Sequence, residues 1–384
     1  MLAVSLVNPR TGTRRLPFAA TLALIATCVL FLLPSTALGQ GEGHEIGVMT
    51  RNLYLGADLS PAINASGAGQ FIEANGQILR DVDTNNFPVR AKGLAQEILS
   101  KTPDLVGLQE VSLWRDGPVD LNAPFTGNYT ASHVTYDYLQ LLLDQLNKGK
   151  ERYEVVISEP EFDFEAPADY DGNPSTGSPF GADKNGRLTM RDVILARVGH
   201  GVKVGHVEAA HYRTLFSPTV AGLVTVQVAR GWGAADVKVR GSGTFRFLNT
   251  HLEAFGDPTI REAQAKELVE PGGPATGSLP VVLVGDLNSD DDTVQGGDRL
   301  AYQALTSAGF SERSTNNPLS CCLNTSIITD NFGSVSDFDH QVDHVLTNDP
   351  QITLVNSSVT GRQPVNGYWD SDHAGLFSLL NIRH

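Results

Sequence analysis

Short apolar segments that resemble β-strands alternate with amphipathic helical segments along most of this chain. This alternation constrains the fold more than any other feature of the sequence. The strand-like segments are residues 46–53, 104–111, 153–157, 192–198, 223–229, 244–250, 279–284, 341–346 and 376–380. The helical segments are residues 89–101, 136–148, 258–268 and 298–308. Because the two kinds of segment are interleaved and no linker separates them, the pattern predicts one α/β domain.

Two polar segments interrupt the alternation. Residues 163–186 are rich in Gly, Pro, Asp and Ser, and residues 271–277 form a shorter stretch of the same kind. Such composition is typical of surface loops. Asp298 is a predicted N-cap for the last helix, and Gly309 is the predicted residue at which it stops.

The first forty residues have a different composition from the rest. Three arginines precede an almost uncharged apolar run at residues 16–33, which ends at Pro34 and is followed by small residues at 37 and 39. This layout predicts a secretory signal peptide, residues 1–39, and a mature N-terminus at Gln40. The predicted location is therefore secreted or periplasmic. A retained membrane anchor is the alternative, because about 18 apolar residues can just span a bilayer.

With the signal peptide removed, residues 40–384 form the predicted single domain. The chain carries 43 acidic and 28 basic residues, a formal net charge of −15. This charge argues against a protein that binds nucleic acid through a broad basic face. An acidic enzyme can still cleave a phosphate ester if a bound cation supplies positive charge locally. Three cysteines are too few for a disulfide framework, and the adjacent Cys321 and Cys322 could form a vicinal disulfide or remain two thiols.

Polar side chains lie directly beside the predicted strands at seven places. These segments are Thr50-Arg51-Asn52, Gln109-Glu110, Arg191-Asp192, Asn249-Thr250-His251, Gly285-Asp286-Leu287-Asn288, Val342-Asp343-His344 and Ser371-Asp372-His373. A polar group beside an apolar strand is costly unless something satisfies it, and loops at one end of a sheet often carry function. Each segment alone also has a structural explanation, such as a turn cap at Asn52 or an Asx-turn at Asp286.

Taken in order, these segments resemble the endonuclease/exonuclease/phosphatase superfamily, which includes DNase I-like nucleases, inositol polyphosphate phosphatases and bacterial sphingomyelinases. The most specific matches are Gly285-Asp286-Leu287-Asn288-Ser289 and Ser371-Asp372-His373, supported by Leu108-Gln109-Glu110-Val111 and Thr250-His251-Leu252. The resemblance runs from Ile46 to about Leu380. It implies an α/β (α+β) fold, a four-layered sandwich of two packed, mostly antiparallel β-sheets flanked by helices. The site would lie at one mouth of the sandwich.

The resemblance also implies a metal site. Glu110 matches the principal Mg²⁺ ligand, and a hard cation favours such a carboxylate. Asn52 would help to place the metal or a phosphate oxygen, and Asp372 would lie on the metal side. Mn²⁺ or Ca²⁺ could replace Mg²⁺. Tyr54 stands where some members of the superfamily carry an acidic ligand for a second metal, which argues against a second metal here.

Five further residues match catalytic positions of the superfamily. They are His251, Asp286, Asn288, Asp343 and His373. Asp286 would orient or deprotonate the attacking water, and Asn288 would contact the phosphate. His373 would polarise the phosphate or act as an acid or base, with Asp343 fixing its orientation. His251 would donate to a non-bridging oxygen or protonate the leaving group.

Other residues near these segments allow two interpretations. Arg191 is a candidate phosphate contact, or it could form an ion pair in the neighbourhood of Asp192. Tyr368 could line the substrate cleft with Trp369, or the two aromatic rings could be buried anchors of the following turn. His344 is predicted to have a packing role.

The resemblance leaves three functional readings. The first is a secreted, divalent-metal-dependent phosphodiesterase of the nuclease type, acting on nucleic acid or nucleotides. The second is a phospholipase C-like sphingomyelinase, acting on a phospholipid headgroup, or an inositol phosphate phosphatase. The third is a non-catalytic binding relative, which is disfavoured because the principal polar positions are filled. No apolar hairpin with clustered Trp and Phe is visible in the sequence, although membrane contact stays open. No stable protein partner is implied.

Overall fold

The computed structural model describes residues 44–290, 298–315, 318–323 and 334–383, and these belong to one compact unit, Gly41–His384. The strands are β1 (His44–Asn52), β2 (Leu105–Gln109), β3 (Leu113–Gly117), β4 (His133–Asp137), β5 (Tyr153–Ala168), β6 (Lys184–Arg197), β7 (Val202–His211), β8 (Thr219–Val220), β9 (Val224–Thr225), β10 (Gly231–Val239), β11 (Thr244–His251), β12 (Val281–Asp286), β13 (Ser311–Glu312), β14 (Asp343–Thr347), β15 (Thr353–Thr360) and β16 (Gly375–Ile382). The helices are α1 (Ser60–Ile63), α2 (Ala68–Thr84), α3 (Phe87–Lys101), α4 (Ala123–Thr126), α5 (Tyr138–Leu146), α6 (Pro258–Val269) and α7 (Leu300–Ser307).

Most strands belong to two large sheets. The first sheet has eight strands in the order β15-β16-β1-β2-β6-β3-β4, with β5 paired to β6 outside this order. The second has six strands in the order β13-β14-β12-β11-β10-β7. Among the described residues one pair in each sheet is parallel, β1 with β2 and β11 with β12, and the other pairs are antiparallel. The predicted fold class is therefore confirmed.

Successive residues of these strands face different cores because side chains alternate across a strand. Between the two sheets, Val48 and Leu105 from the first sheet pack with Phe247 and Val284 from the second, and all four are fully buried. This apolar contact joins the sheets face to face.

Helices cover the outer faces of both sheets. α2, α3 and α5 pack on the first sheet, with Leu94 and Leu142 among the buried contacts. α6 and α7 pack on the second sheet, with Leu268 and Leu305 at the contact. The order from one side to the other is helices, sheet, sheet, helices, which is the four-layered arrangement expected from the sequence.

Two of the sequence predictions were wrong in detail. The two ends of the predicted loop at 163–186 belong to a β-ribbon, because β5 continues to Ala168 and β6 begins at Lys184, while residues 169–183 connect the two strands. Its polar residues pair across the strands, as Arg187 does with Asp163, so they stabilise a solvent-facing ribbon. The predicted strand at 223–229 is reduced to the two residues of β9.

Several elements were not anticipated. The longest is α2, which contains the weak helix formers Asn75 and Gly76 at its centre but buries Phe71, Ile78 and Val82 on one face. Packing of that face outweighs the low helix propensity. β7, β10 and β15 were also missed, since their polar residues mask the alternating pattern of strands that are only partly buried.

The predicted signal peptide lies outside the described residues and stays a prediction. Among the residues that the structure describes, no helix has the length and apolar character needed to cross a bilayer.

Candidate active site

The side chains expected to be functional lie at one edge of the two sheets. β1, β2, β11 and β12 end at this edge, and the antiparallel β14 and β16 begin there. The register pairs His251 with Asp286 and Asp286 with Asp343 in the second sheet. Asn52 at the end of β1 donates from Nδ2 to Asp286 Oδ2 over 2.9 Å, so the two sheets meet at this point.

His373 and two carboxylates form a chain of close contacts. His373 Nδ1 lies 2.9 Å from Asp343 Oδ2, and His373 Nε2 lies 3.7 Å from Asp286 Oδ2. Burial acts to lower the pKa of His373, but the carboxylates of Asp343 and Asp286 outweigh it and raise that pKa well above its ordinary value. The carboxylates on either side therefore favour the protonated form of the ring.

His251 has the opposite environment. Its Nδ1 lies 3.0 Å from Arg230 Nη1, and because a guanidinium can only donate, Nδ1 must accept this hydrogen bond. Burial lowers the pKa of His251 well below its usual value, and the charges of Arg230 and His373 lower it further. The neutral ring carries its proton on Nε2, which lies 3.5 Å from Asp286 Oδ2.

Asp286 is held by two different donors. Asn288 donates its backbone N–H to Asp286 Oδ1 over 2.9 Å, and Asn52 Nδ2 binds the other oxygen. Asn288 adopts a left-handed backbone with φ of 47°, a conformation that asparagine tolerates better than most residues with a side chain. Its own amide donates to the Leu252 carbonyl, so the turn after β12 has a fixed shape.

Glu110 and Asp372 form the acidic part of the site. The backbone of Glu110 is left-handed with φ of 56°, and its Oε2 accepts a 2.6 Å hydrogen bond from the Leu55 N–H. Burial raises the pKa of Glu110. Burial also raises the pKa of Asp372 to about 6, and the negative charge of Glu110 contributes to this shift.

These two carboxylates fit a hard divalent cation. Both are half-buried oxygen donors that disfavour each other's ionised form, and a cation between them would relieve that repulsion. Asn52 fits a ligand role less well, because its Oδ1 already accepts from the Tyr54 N–H and its Nδ2 donates to Asp286. Instead, the hydrogen bond from Asn52 Nδ2 fixes the position of the Asp286 carboxylate.

Two further groups of described residues bring three possible ligand atoms within 4.8 Å of one another. They are Asp286, Asp343 and His373, and Cys321, Cys322 and His373. The two cysteines are joined as a vicinal disulfide, the first of the two states considered from the sequence. Their sulfurs lie 3.9 and 3.8 Å from His373 Nε2.

The contacts of Arg191 lie outside this cluster, and the substrate-binding role suggested for Tyr368 stays a prediction. Arg191 pairs with Asp137 over 2.6 Å and donates to two backbone carbonyls, so it does not pair with the neighbouring Asp192. Because adjacent strand residues face opposite ways, Arg191 points away from the side on which Asp192 is buried. Tyr368 is half-buried, and its backbone pairs with Val365 in the loop before β16.

His344 has the predicted packing role, and of the two interpretations left open for Trp369 its burial favours the anchor. His344 is fully buried between Glu312, 2.7 Å from its Nδ1, and the Ser289 carbonyl, 2.9 Å from its Nε2. Trp369 is buried against Phe338, with ring centroids 5.9 Å apart.

A second buried charge cluster was missed in the sequence. Arg230 lies 3.6 Å from Glu253 and close to Glu161 and Asp192, and all four are almost fully buried. Neither oxygen of Asp192 has a hydrogen-bond partner among the described residues. Arg230 follows no recognisable motif in the sequence.

Two buried arginines fix the backbone of the site. Arg51 Nη1 donates to the carbonyl of His373 over 2.5 Å. Arg90 donates to the carbonyls of Asp370 and Tyr54 over 2.9 and 3.0 Å. These bonds tie the end of β1 to the turn before β16, so the two arginines position residues without entering the site.

The two packed sheets, with acidic and imidazole groups collected at one edge, define a DNase I-like protein. A family model described as the endonuclease/exonuclease/phosphatase family matches residues 74–373, and the chain belongs to this family. The assignment indicates an enzyme of the phosphoesterase type. No curated protein sequence matches the chain.

Solved structures show the same fold at low identity. A family member from Bacteroides thetaiotaomicron is 17% identical, with a TM-score of 0.53, over 88% of this chain and 98% of that one. A second member, from Bacteroides vulgatus, is 15% identical, with a TM-score of 0.50, over 88% and 99%. A mannosyl-6-phosphatase from Bacteroides thetaiotaomicron VPI-5482 is 17% identical, with a TM-score of 0.49, over 87% and 99%.

Proposed function

We propose that this protein is a divalent-metal-dependent hydrolase of phosphate esters, in which an activated water attacks phosphorus in line. The observation that carries the proposal is the convergence of His251 Nε2 and His373 Nε2 on Asp286 Oδ2, at 3.5 and 3.7 Å. In-line attack needs a positioned water, neutralised phosphate charge and a proton for the leaving group. The site offers a separate group for each requirement.

Glu110 and Asp372 would hold the cation, with Asn52 beside them. Mg²⁺ suits these oxygen donors and would neutralise charge on the phosphate; Mn²⁺ or Ca²⁺ could substitute. The left-handed backbone of Glu110 supports the assignment, because strain of this kind persists where function requires a particular side-chain direction.

The remaining residues would orient the substrate and move protons. Asp286, held by Asn52 and the Asn288 backbone, would orient the water and accept its proton. The neutral His251 would donate from Nε2 to a non-bridging oxygen. The His373 cation, fixed by Asp343, would stabilise the phosphate or protonate the leaving group.

Among the possible specificities the sequence favours nuclease-like phosphodiester cleavage, and nucleic acid is therefore included as one candidate substrate in the ester panel below. Export, with the mature protein beginning at Gln40, is also part of the proposal. Mass spectrometry of protein recovered from the medium or periplasm would identify the new N-terminus. A protein retained in the membrane with residues 1–39 attached would contradict export.

The catalytic proposal is tested with a panel of esters: plasmid DNA, RNA, bis(4-nitrophenyl) phosphate, sphingomyelin and an inositol polyphosphate. We expect Mg²⁺-dependent hydrolysis of at least one ester, and a loss of two or more orders of magnitude in Glu110→Gln. Glu73→Gln, an exposed glutamate on α2, is the matched control and should match the wild type. Equal activity of Glu110→Gln and wild type would remove Glu110 as the ligand.

A further inference from the structure

A cavity of about 240 Å³ adjoins the acidic end of the site. Tyr54, Glu110, Arg230 and Asp372 line the end nearest the catalytic residues. The remaining wall is mainly hydrocarbon and comes from α1, α2, the β5–β6 ribbon and residues 218–228. A ligand phosphate held near Glu110 would therefore have an apolar space beside it.

The apolar wall follows from strand and helix periodicity. Leu188 and Met190 are two residues apart on β6 and face the same side, as Phe164 does on the paired β5. Phe71 and Ile78 line the cavity from one face of α2, and this face is turned away from solvent. Apolar residues on three separate elements line one space next to charged residues, which is the composition of a pocket for an apolar ligand group.

The charges of this wall do not suit a polyanion. Among the described residues that line the cavity, Arg230 is the single basic side chain, and it already contacts His251 and Glu253. Binding along a nucleic-acid backbone normally requires several basic contacts. The cavity therefore offers a chain of phosphates little compensation for lost hydration.

An exposed apolar surface lies beside the cavity. Phe71 and Val220 also line a second hollow of about 150 Å³, which lies next to it. Phe125, Phe180 and Leu223 border this second hollow, and each is more than half exposed. These three residues, called the apolar rim below, come from three separate segments, so no single hairpin revealed them in the sequence. Clustered exposed apolar side chains mark a binding surface more often than isolated ones do.

We propose that the cavity binds an extended hydrocarbon chain of the substrate, whose phosphate ester lies at the Glu110–Asp372 end while the chain runs toward the apolar rim. The inference rests on the proposed phosphoesterase function and names its substrate class. The substrate is then an amphiphilic phosphate ester. Such a molecule can arrive as a dissolved monomer or from a lipid surface, and the chain is common to both sources.

The first test uses a series of alkyl 4-nitrophenyl phosphodiesters with methyl, butyl, octyl and dodecyl chains, assayed with Mg²⁺ below the concentration at which they aggregate. We expect kcat/KM to rise about fourfold per buried methylene until the cavity is filled. If the methyl ester is hydrolysed but kcat/KM does not change with chain length, the chain proposal is overturned and the phosphoesterase function remains intact.

Two cavity variants make the test specific. Ile63→Asp places a charge at the wall from a half-buried position on α1, and Ala62→Phe fills the space. Each should remove most of the dependence on chain length while leaving hydrolysis of the methyl ester unchanged. Val355→Asp alters an exposed valine that lines neither hollow and should behave as wild type. A chain-length dependence preserved in both cavity variants would overturn the proposal.

A binding measurement tests the hydrocarbon-chain site separately from the hydrolase function. Calorimetry should show that dodecyl phosphate binds at least a hundredfold more tightly than inorganic phosphate, and that Ile63→Asp removes most of this difference. If that preference is found while no ester is hydrolysed, the chain site stands and the hydrolase proposal fails. Equal affinity for the two phosphates would overturn the chain site.

The source of the substrate is distinguished with Phe125→Ser. If the chain is drawn from a lipid surface, this rim variant should slow hydrolysis of the dodecyl ester in phosphatidylcholine vesicles and leave the dissolved octyl ester unaffected. If the substrate is a dissolved amphiphile, both assays should match the wild type. Val134→Ser, about as exposed but lining neither hollow, is the control.

Discussion

The pKa values of two histidines at the same mouth are shifted in opposite directions. His373 faces Asp343 and Asp286, which raise its pKa, whereas His251 is buried beside Arg230, and its pKa is lowered. The difference arises from neighbouring charge, since both rings are buried. When the pKa values of two groups are shifted in opposite directions, the group with the raised pKa can act as an acid and the neutral group can act as a hydrogen-bond donor.

The role of Asp343 is tested by Asp343→Asn. The amide cannot stabilise the His373 cation and can favour the wrong tautomer, so we expect kcat to fall by about 10²–10⁴ while KM changes little. The pH profile should also lose the limb that belongs to His373. Asp339→Asn removes another Asp–His contact, at His340 on the surface, and should leave the kinetics unchanged. A fall in kcat below tenfold would contradict the role of this pair.

The pKa of Asp372 predicts a pH dependence of stability. Between its ordinary pKa of 3.8 and its folded value of about 6, the folded protein keeps a proton that the unfolded chain releases. The free energy of unfolding in EDTA should therefore fall as pH rises from 4 to 6, by about 1–2 kcal/mol after allowance for partial exposure. Urea unfolding of wild type and Asp372→Asn should show this loss only in wild type, and saturating Mg²⁺ should reduce it. A constant difference between the two proteins across this range would contradict the shift.

At the level of single residues, functional side chains could be predicted from the sequence where they lie beside the end of a recognisable strand. Asp286 and His373 are in short motifs and meet at one edge as expected. Arg230 could not be predicted, because its relation to His251 depends on strand pairing across 21 residues. For Arg191 the sequence suggested a phosphate contact. A position on a strand does not by itself show which face of the sheet carries the site.

At the level of elements, the site depends on how closely β11 and β12 approach. Gly285 on β12 pairs with Thr250 on β11, and a Cβ at Gly285 would be 2.1 Å from the Thr250 carbonyl oxygen. Only glycine allows the parallel pairing that sets His251 beside Asp286. The Gly-Asp-Leu-Asn motif therefore contains a packing requirement as well as its polar residues.

Gly285→Ala should move the ends of these strands apart. We expect the protein to lose about 2–4 kcal/mol of stability and most of its activity, because the backbone oxygen cannot move without disturbing the sheet. Thermal unfolding and ester hydrolysis measure the two effects. Gly201→Ala, with no atom within 4 Å of the added Cβ, should be neutral in both assays. A fully stable and active Gly285→Ala protein would show that β11 and β12 are not held this tightly.

Buried elements were predictable and partly exposed ones were not. β12 and α3 have uniform apolar faces, and their observed bounds lie close to those expected. The parts of β5 and β6 at residues 163–168 and 184–186 were taken for a loop, because the exposed residues of this ribbon are polar and its cross-strand ion pairs cannot be seen in the sequence. Local composition indicates which segments are buried. For a partly exposed segment, pairing with a strand that is distant in the sequence determines whether it forms a β-strand.

At the scale of the whole molecule, the fold concentrates function at one edge of an acidic chain. The net charge is −15, and the site itself contains carboxylates whose pKa values are raised by burial. A cation bound there would neutralise both the protein's charge and the substrate's phosphate. The sequence indicated the two-sheet sandwich through its resemblance to the family, but the apolar cavity required the assembly of three separate elements.

The central claim is that a divalent cation at Glu110 and Asp372 enables hydrolysis. The most direct measurement is the turnover of bis(4-nitrophenyl) phosphate by EDTA-stripped protein during titration with Mg²⁺. We predict negligible turnover without the cation and saturable recovery with it, and no recovery in Glu110→Gln at the same concentrations. Full turnover by the stripped wild-type protein, or equal recovery in the variant, would contradict the claim.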